Sequence, residues 1–180
     1  EVRCVWPHMS PIRVPPALSP HHITRADITH SLMSEPFAEV IGVSGSGKTH
    51  LATETYHLAR QREPGREIYY IEVRPETSLR SVLAGVSFQL RRIGIREPFK
   101  VITRAVETEQ ERISQLAAAL SVSSARILLL IDIADGTCGP SFKREISSFI
   151  KTLQPGAVSI LFFSQESPLL LSNLERKSAH

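Results

Sequence analysis

Cysteine occurs only twice in this 180-residue chain, at Cys4 and Cys138. Two cysteines so far apart make no disulfide framework, and their scarcity fits a reducing compartment. No apolar run approaches the ~18 residues of a membrane span. The N-terminus also lacks the charged, apolar, then small-residue order of a signal peptide. The expected location is therefore cytoplasmic, with no membrane partner. An excess of charge of one sign is missing as well: Lys and Arg number 21 against 18 Asp and Glu, for a net charge of +3. The basic residues are scattered along the chain, and a phosphate-binding groove accounts for so mild a bias, so nucleic acid is not indicated. Histidines at His8, His21, His22 and His30 lack the regular spacing of metal ligands and read as solvated loop residues. Aspartate is rare, three residues against fifteen glutamates, and two of the three are Asp132 and Asp135. What remains, 42% hydrophobic and 22% charged, suits one globular domain with a substantial core.

Glycine is sparse too, yet Gly42, Gly45 and Gly47 fall within six residues of one another. They belong to the stretch FAEVIGVSGSGKT, Phe37–Thr49, around which the chain is organised. An apolar run, Val40–Val43, enters Gly42-Val43-Ser44-Gly45-Ser46-Gly47-Lys48-Thr49, which matches the phosphate-binding pattern GxxxxGK[ST]. A helical pattern, Thr49–Arg62, follows at once. The chemistry requires this order. Glycines let the backbone turn so that successive N–H groups point inward at a phosphate. The helix N-terminus adds its partial positive charge. Lys48 can reach the β- and γ-phosphates, and the Thr49 hydroxyl can take a place on Mg²⁺. Gly42, Ser44, Gly45, Ser46, Gly47, Lys48 and Thr49 are thus the candidate nucleotide-binding residues. A plain Gly/Ser turn between strand and helix would not need Lys-Thr in this register.

Around this stretch the pattern alternates. Residues 1–22 carry Pro7, Pro11, Pro15, Pro16 and Pro20 and read as an extended leader or linker, before a nucleotide-binding core over 23–180. Ile23–Ser34 reads as a short helix with Thr24 or Asp27 able to cap it. Arg25, in that entry segment, reads as a surface arginine, with approach to the nucleotide as the alternative. Glu67–Val73 is a second strand, rich in aromatic and β-branched residues. A helix then runs from about Thr77 to Gly94. Pro98–Leu120 is helical, with a break or solvated turn in its charged middle, Glu107–Arg112. Arg126–Ile133 (RILLLIDI) is an uninterrupted apolar run, as in a strand buried on both faces of a parallel sheet. Ser141–Leu153 is helical, Ala157–Ser164 a fourth buried strand, and Pro168–His180 a weakly helical tail. Alternation of this kind predicts an α/β, three-layer P-loop NTPase fold with a mainly parallel sheet flanked by helices.

Asp132 ends the most apolar strand. A carboxylate there faces the crevice in which parallel sheets bind ligands, the place from which a Walker B aspartate holds Mg²⁺. Ile133 follows it, so no adjacent Asp-Glu pair supplies a hydrolytic base. Asp135 is the first candidate to polarise the attacking water and Glu72 the alternative. Ser164, closing the fourth strand, can face the γ-phosphate or merely close a buried strand.

With these stretches in view, the chain resembles the STAND class, the signal-transduction ATPases with numerous domains. The resemblance rests on ITRADIT, GVSGSGKT, ILLLIDIAD and AVSILFFS, and spans Ile23 to about Ser164. It implies ATP and Mg²⁺, a slow regulatory ATPase, fused or partner effector and sensor domains, and a nucleotide-dependent homo-oligomer. It further implies a sheet order of 2-3-1-4 type, with the Walker B strand set apart from the P-loop strand by the sensor strand. Gln165 stands where the class usually has arginine. The expected helical and winged-helix lid has no counterpart in the residues after Ser164, and a chain beginning at Glu1 reads as a fragment.

GVSGSGKT also resembles kinase P-loops, so a small-molecule kinase is the alternative, and a nucleotide-binding module without turnover a third reading. A GTPase is disfavoured because the sole asparagine, Asn173, precedes Leu174 rather than lysine. A transporter-type ATPase is disfavoured because the chain has no adjacent glycines.

Overall fold

The computed structural model describes residues 10–18, 24–105, 108–133 and 138–169. Among these residues five strands form one sheet: β1 (Ile12–Arg13), β2 (Phe37–Ile41), β3 (Arg66–Val73), β4 (Arg126–Ile133) and β5 (Val158–Ser164). Their order across the sheet is β1-β3-β4-β5-β2. All pairings are parallel except β1 with β3. Among the described residues six helices accompany them: α1 (Ala26–Ser34), α2 (Lys48–Arg62), α3 (Leu79–Arg92), α4 (Glu97–Thr103), α5 (Glu109–Ser121) and α6 (Pro140–Thr152). The α/β architecture with a mainly parallel sheet is the one the alternating pattern predicts.

Strand alternation explains why β4 and β5 are apolar throughout. Leu128, Leu130, Leu161 and Phe163 project to one face, where Leu51, Ala52 and Ala59 of α2 and Leu32 and Met33 of α1 cover them. Ile127, Leu129, Ile131, Ile160 and Phe162 project to the other, under residues of α3, α5 and α6 such as Leu83, Leu116 and Phe149. A strand between two helical layers has no solvent face and needs no polar residues. Each fully buried Leu, Ile or Phe contributes roughly 1.5–3 kcal/mol of burial free energy, which makes these central strands the anchor of the fold.

Local signals set the helix ends. Ser78 caps α3 by accepting from Ser81 N at 3.1 Å, and Thr108 caps α5 by accepting from Glu111 N at 3.1 Å. Helix α4 ends at Thr103 and α5 begins at Glu109, so the Glu109–Arg112 part of the charged stretch is helical rather than a turn. At α1 neither Thr24 nor Asp27 takes the cap position; Arg25 does, without a side-chain cap bond.

Two findings differ from the expectations. Numbering the four parallel strands from the P-loop strand, the order is 2-3-4-1 rather than 2-3-1-4, because β5 pairs with both β4 and β2. The sensor-like strand does separate the other two. Second, Ile12–Arg13, within the proline-rich segment, adds an antiparallel edge to β3 at Ile71 and Tyr70. Prolines can border an edge strand because only one of its sides is paired.

Candidate functional site

The C-terminal ends of β4, β5 and β2 lie side by side in the parallel sheet, and β2 leads through the P-loop into α2. Gly45 (φ +78°) and Gly47 (φ +83°) take left-handed conformations that a side chain would strain. At Gly42 the constraint is space: a Cβ there would lie 2.8 Å from Ser46 Oγ, so that hydroxyl would have to turn away. Gly42 N donates to Ser164 O at 3.1 Å, tying the loop entrance to the tip of β5. Lys48 Nζ donates to Gly42 O (2.6 Å), Val43 O (2.8 Å) and Ser46 Oγ (3.3 Å), so its ammonium lies across the loop it springs from. Gly47, at the N-cap of α2, leaves the first-turn N–H groups to an anion rather than to a side chain. Ser44, Gly45, Ser46 and Thr49 are exposed in this loop and at the start of α2.

Asp132 is 5% exposed and accepts from the Tyr70 hydroxyl at 2.7 Å. Strand register places it level with Phe163 and Val40, and alternation puts it on the face that α2 covers. A buried carboxylate two strands from the P-loop on the side of α2, with Thr49 in the first helical turn, offers the hard oxygen donors that suit Mg²⁺. One of its two oxygens is engaged by Tyr70. Burial, then the hydrogen bond and charge of Asp132, then Glu72, raise the Tyr70 phenol well above its ordinary value, so it stays a donor.

The other sequence candidates stand as follows. Glu72 is level with Asp132 across β3 and β4, and its carboxylate is engaged by Arg74 at 2.6 Å. Asp135 lies outside the described residues. Ser164 is fully buried and its hydroxyl donates to Glu166 O at 2.6 Å, so its carbonyl is what meets the P-loop.

Arg25, read from sequence as a surface arginine, is exposed but sits against the P-loop. Its guanidinium Nη2 is 3.2 Å from where a Cβ on Gly47 would be. Its backbone holds it there: Arg25 N donates to the buried Glu54 of α2 at 2.9 Å, and its carbonyl accepts from Thr29 N and Oγ1. Only the entry-segment pattern hinted at this placement, since Arg25 and Gly47 are separated by a helix and a strand.

Among the described residues, no group of three or more His, Cys, Asp or Glu could hold a metal ion by itself, and no helix is long and apolar enough to cross a membrane. A divalent ion here would need phosphate oxygens to complete its shell. The family model for the AAA domain matches residues 30–168. No curated protein matches the chain.

Proposed function

This chain belongs to the AAA domain family and carries a P-loop NTPase-type ATPase domain, and from that premise we propose that it is the Mg–ATP-binding core of a STAND-type regulatory ATPase. One observation carries the reading: the P-loop at the head of α2 and the buried Asp132 lie on the same side of the sheet, separated by β5. In this reading the loop N–H groups and Lys48 bind the β- and γ-phosphates, and Thr49 and Asp132 hold Mg²⁺. Arg25 adds a second positive charge beside Gly47. Bound Mg²⁺ would neutralise charge on the phosphates; the protein's own part is to position them and exclude water.

Turnover without partners is slow in this reading, because Ile133 stands beside Asp132 and the Glu72 carboxylate is engaged by Arg74. Nucleotide state would then act as a switch on self-association or on a fused or partner effector.

The test is nucleotide binding and phosphate release by the wild-type chain, Lys48→Ala and Asp132→Ala. Lys48→Ala is expected to weaken ATP binding at least tenfold; unchanged affinity overturns the site. Asp132→Ala is expected to keep nucleotide but lose the Mg²⁺ dependence of affinity and turnover. Phosphate transfer that begins only when a small-molecule acceptor is added would favour a kinase. Sedimentation that changes between ADP and ATP would support the switch.

A further inference from the structure

Over the whole chain the basic residues are dispersed, but one segment concentrates five of them. Positions 91–104 hold Arg91, Arg92, Arg96, Lys100 and Arg104, with Glu97 as the single acid. The remaining sixteen basic residues of the chain are outnumbered by its remaining seventeen acids. The chain's net positive charge therefore resides in the end of α3, the following turn and α4. All five basic residues are exposed. Arg96, Lys100 and Arg104 follow at four-residue spacing, which places them along one side of α4. Glu97 pairs with Lys100. The Arg96 guanidinium has no hydrogen-bond or ion-pair partner among the described residues. The acids opening α5 are engaged elsewhere: Glu109 faces Arg80 and Arg112, and Glu111 accepts from Gln115.

Apolar surface is interleaved with this charge. Phe88 and Ile93 are 50% and 53% exposed. The Phe88 ring lies 6.5 Å from that of Phe99, over which the Arg91 guanidinium sits at 4.4 Å. Arg92 and Ile93 continue into a cavity of about 680 Å³ that Arg13 and Arg60 also line. Its walls run along β3 from Arg66 to Tyr70, with Glu63 and Glu67 as its acids, so its mouth by Arg92 starts from the end of β3 where that strand begins.

We propose that this corner binds single-stranded nucleic acid, with the arginines on phosphates and Phe88 against a base. Guanidinium groups match phosphate oxygens in pairs, and a half-exposed aromatic ring among them is a stacking surface for an unpaired base. The basic residues lead into a cavity, which a flexible strand can follow and a flat bilayer cannot.

The test is fluorescence anisotropy of a labelled oligo-dT with the wild-type chain. With four phosphates neutralised, at about −0.7 in log–log slope each, affinity falls about fifty-fold between 50 and 200 mM salt. Arg92→Glu with Arg96→Glu is expected to weaken binding at least tenfold and to make that slope shallower by about 1.4. Phe88→Ala is expected to weaken binding about tenfold with the slope unchanged, which separates stacking from charge. Thermal melts check that each variant is folded. Wild-type affinity in the charge-reversed variant overturns the proposal, as does equal affinity for a duplex of the same length. So does binding to phosphatidylserine vesicles without binding to the oligonucleotide. Loss of oligonucleotide binding in Lys48→Ala would place the strand in the P-loop and also overturn it.

Discussion

The Tyr70 hydroxyl donates a 2.7 Å hydrogen bond to Asp132 Oδ2, and both side chains are buried. Tyr70 and Asp132 come from neighbouring parallel strands, two register positions apart. The phenol therefore orients the carboxylate that ends β4 and satisfies one of its oxygens where water has little access.

Tyr70→Phe removes that donor and leaves a buried carboxylate short of a partner. The expected cost is about 1–3 kcal/mol of folding stability, read from urea denaturation. If Asp132 serves Mg²⁺, the same variant should keep nucleotide affinity without metal and lose part of the gain that Mg²⁺ brings. A loss below about 0.5 kcal/mol would show that the phenol does not support the carboxylate.

Alkaline pH tests the same pair from the other side. Burial foremost, with Glu67 beside Tyr69 and Asp132 beside Tyr70, raises both phenols above the ordinary 10.0. A group whose pKa is raised by folding contributes stability that is fully present below its unfolded pKa. That contribution is lost as pH rises above it. Stability from these two groups should thus hold up to about pH 10 and fall beyond it. Their phenolate absorbance should appear together with the loss of far-UV circular dichroism, not before it.

Gly47→Ala tests the P-loop conformation. The left-handed backbone costs an alanine roughly 1–2 kcal/mol, and the new methyl would meet the Arg25 guanidinium at 3.2 Å. Stability should drop by that amount and nucleotide affinity with it. Gly65→Ala is the control, since a Cβ there meets nothing within 4 Å; it should shift stability by less than about 0.5 kcal/mol.

Glu145 on α6 gives a prediction in the acid range. Burial, then repulsion from Glu109, raises its carboxyl above the ordinary 4.5, against the lowering effects of a backbone hydrogen bond at Leu79 and of Arg144. A raised carboxyl favours the folded state while protonated, and that contribution disappears as pH rises through its folded value. Glu145→Gln keeps the acceptor without the charge. Its melting temperature should exceed that of the wild-type chain at pH 7 and match it near pH 3. A variant less stable than the wild type at pH 7 but equal to it near pH 3 would show that the hydrogen bond of the charged carboxylate at Leu79 outweighs its burial.

Much of the fold is legible in the sequence. The apolar run of β4 matches its strand residue for residue, and the four-residue pattern after Lys48 matches α2, because both are local periodicities imposed by burial. The P-loop was legible for the same reason: its glycines, lysine and threonine act within one turn of chain. Arg25 reads as a surface arginine and is exposed, but its place beside Gly47 is set by how α1 packs on α2, through Glu54, and no local pattern encodes that. The part of Tyr70 was invisible because an aromatic residue in a strand reads as core.

The sequence by itself determined that this chain forms strands and helices in alternation and holds a phosphate loop at the head of one helix. Those features depend on residues near one another in the chain, where φ/ψ limits and side-chain periodicity act directly. Tertiary structure decided the rest: β5 lies between β4 and β2, Tyr70 donates to Asp132, and Arg25 reaches Gly47. Each depends on groups brought together by burying the two faces of the sheet, a result of the packing of the whole chain rather than of any one segment.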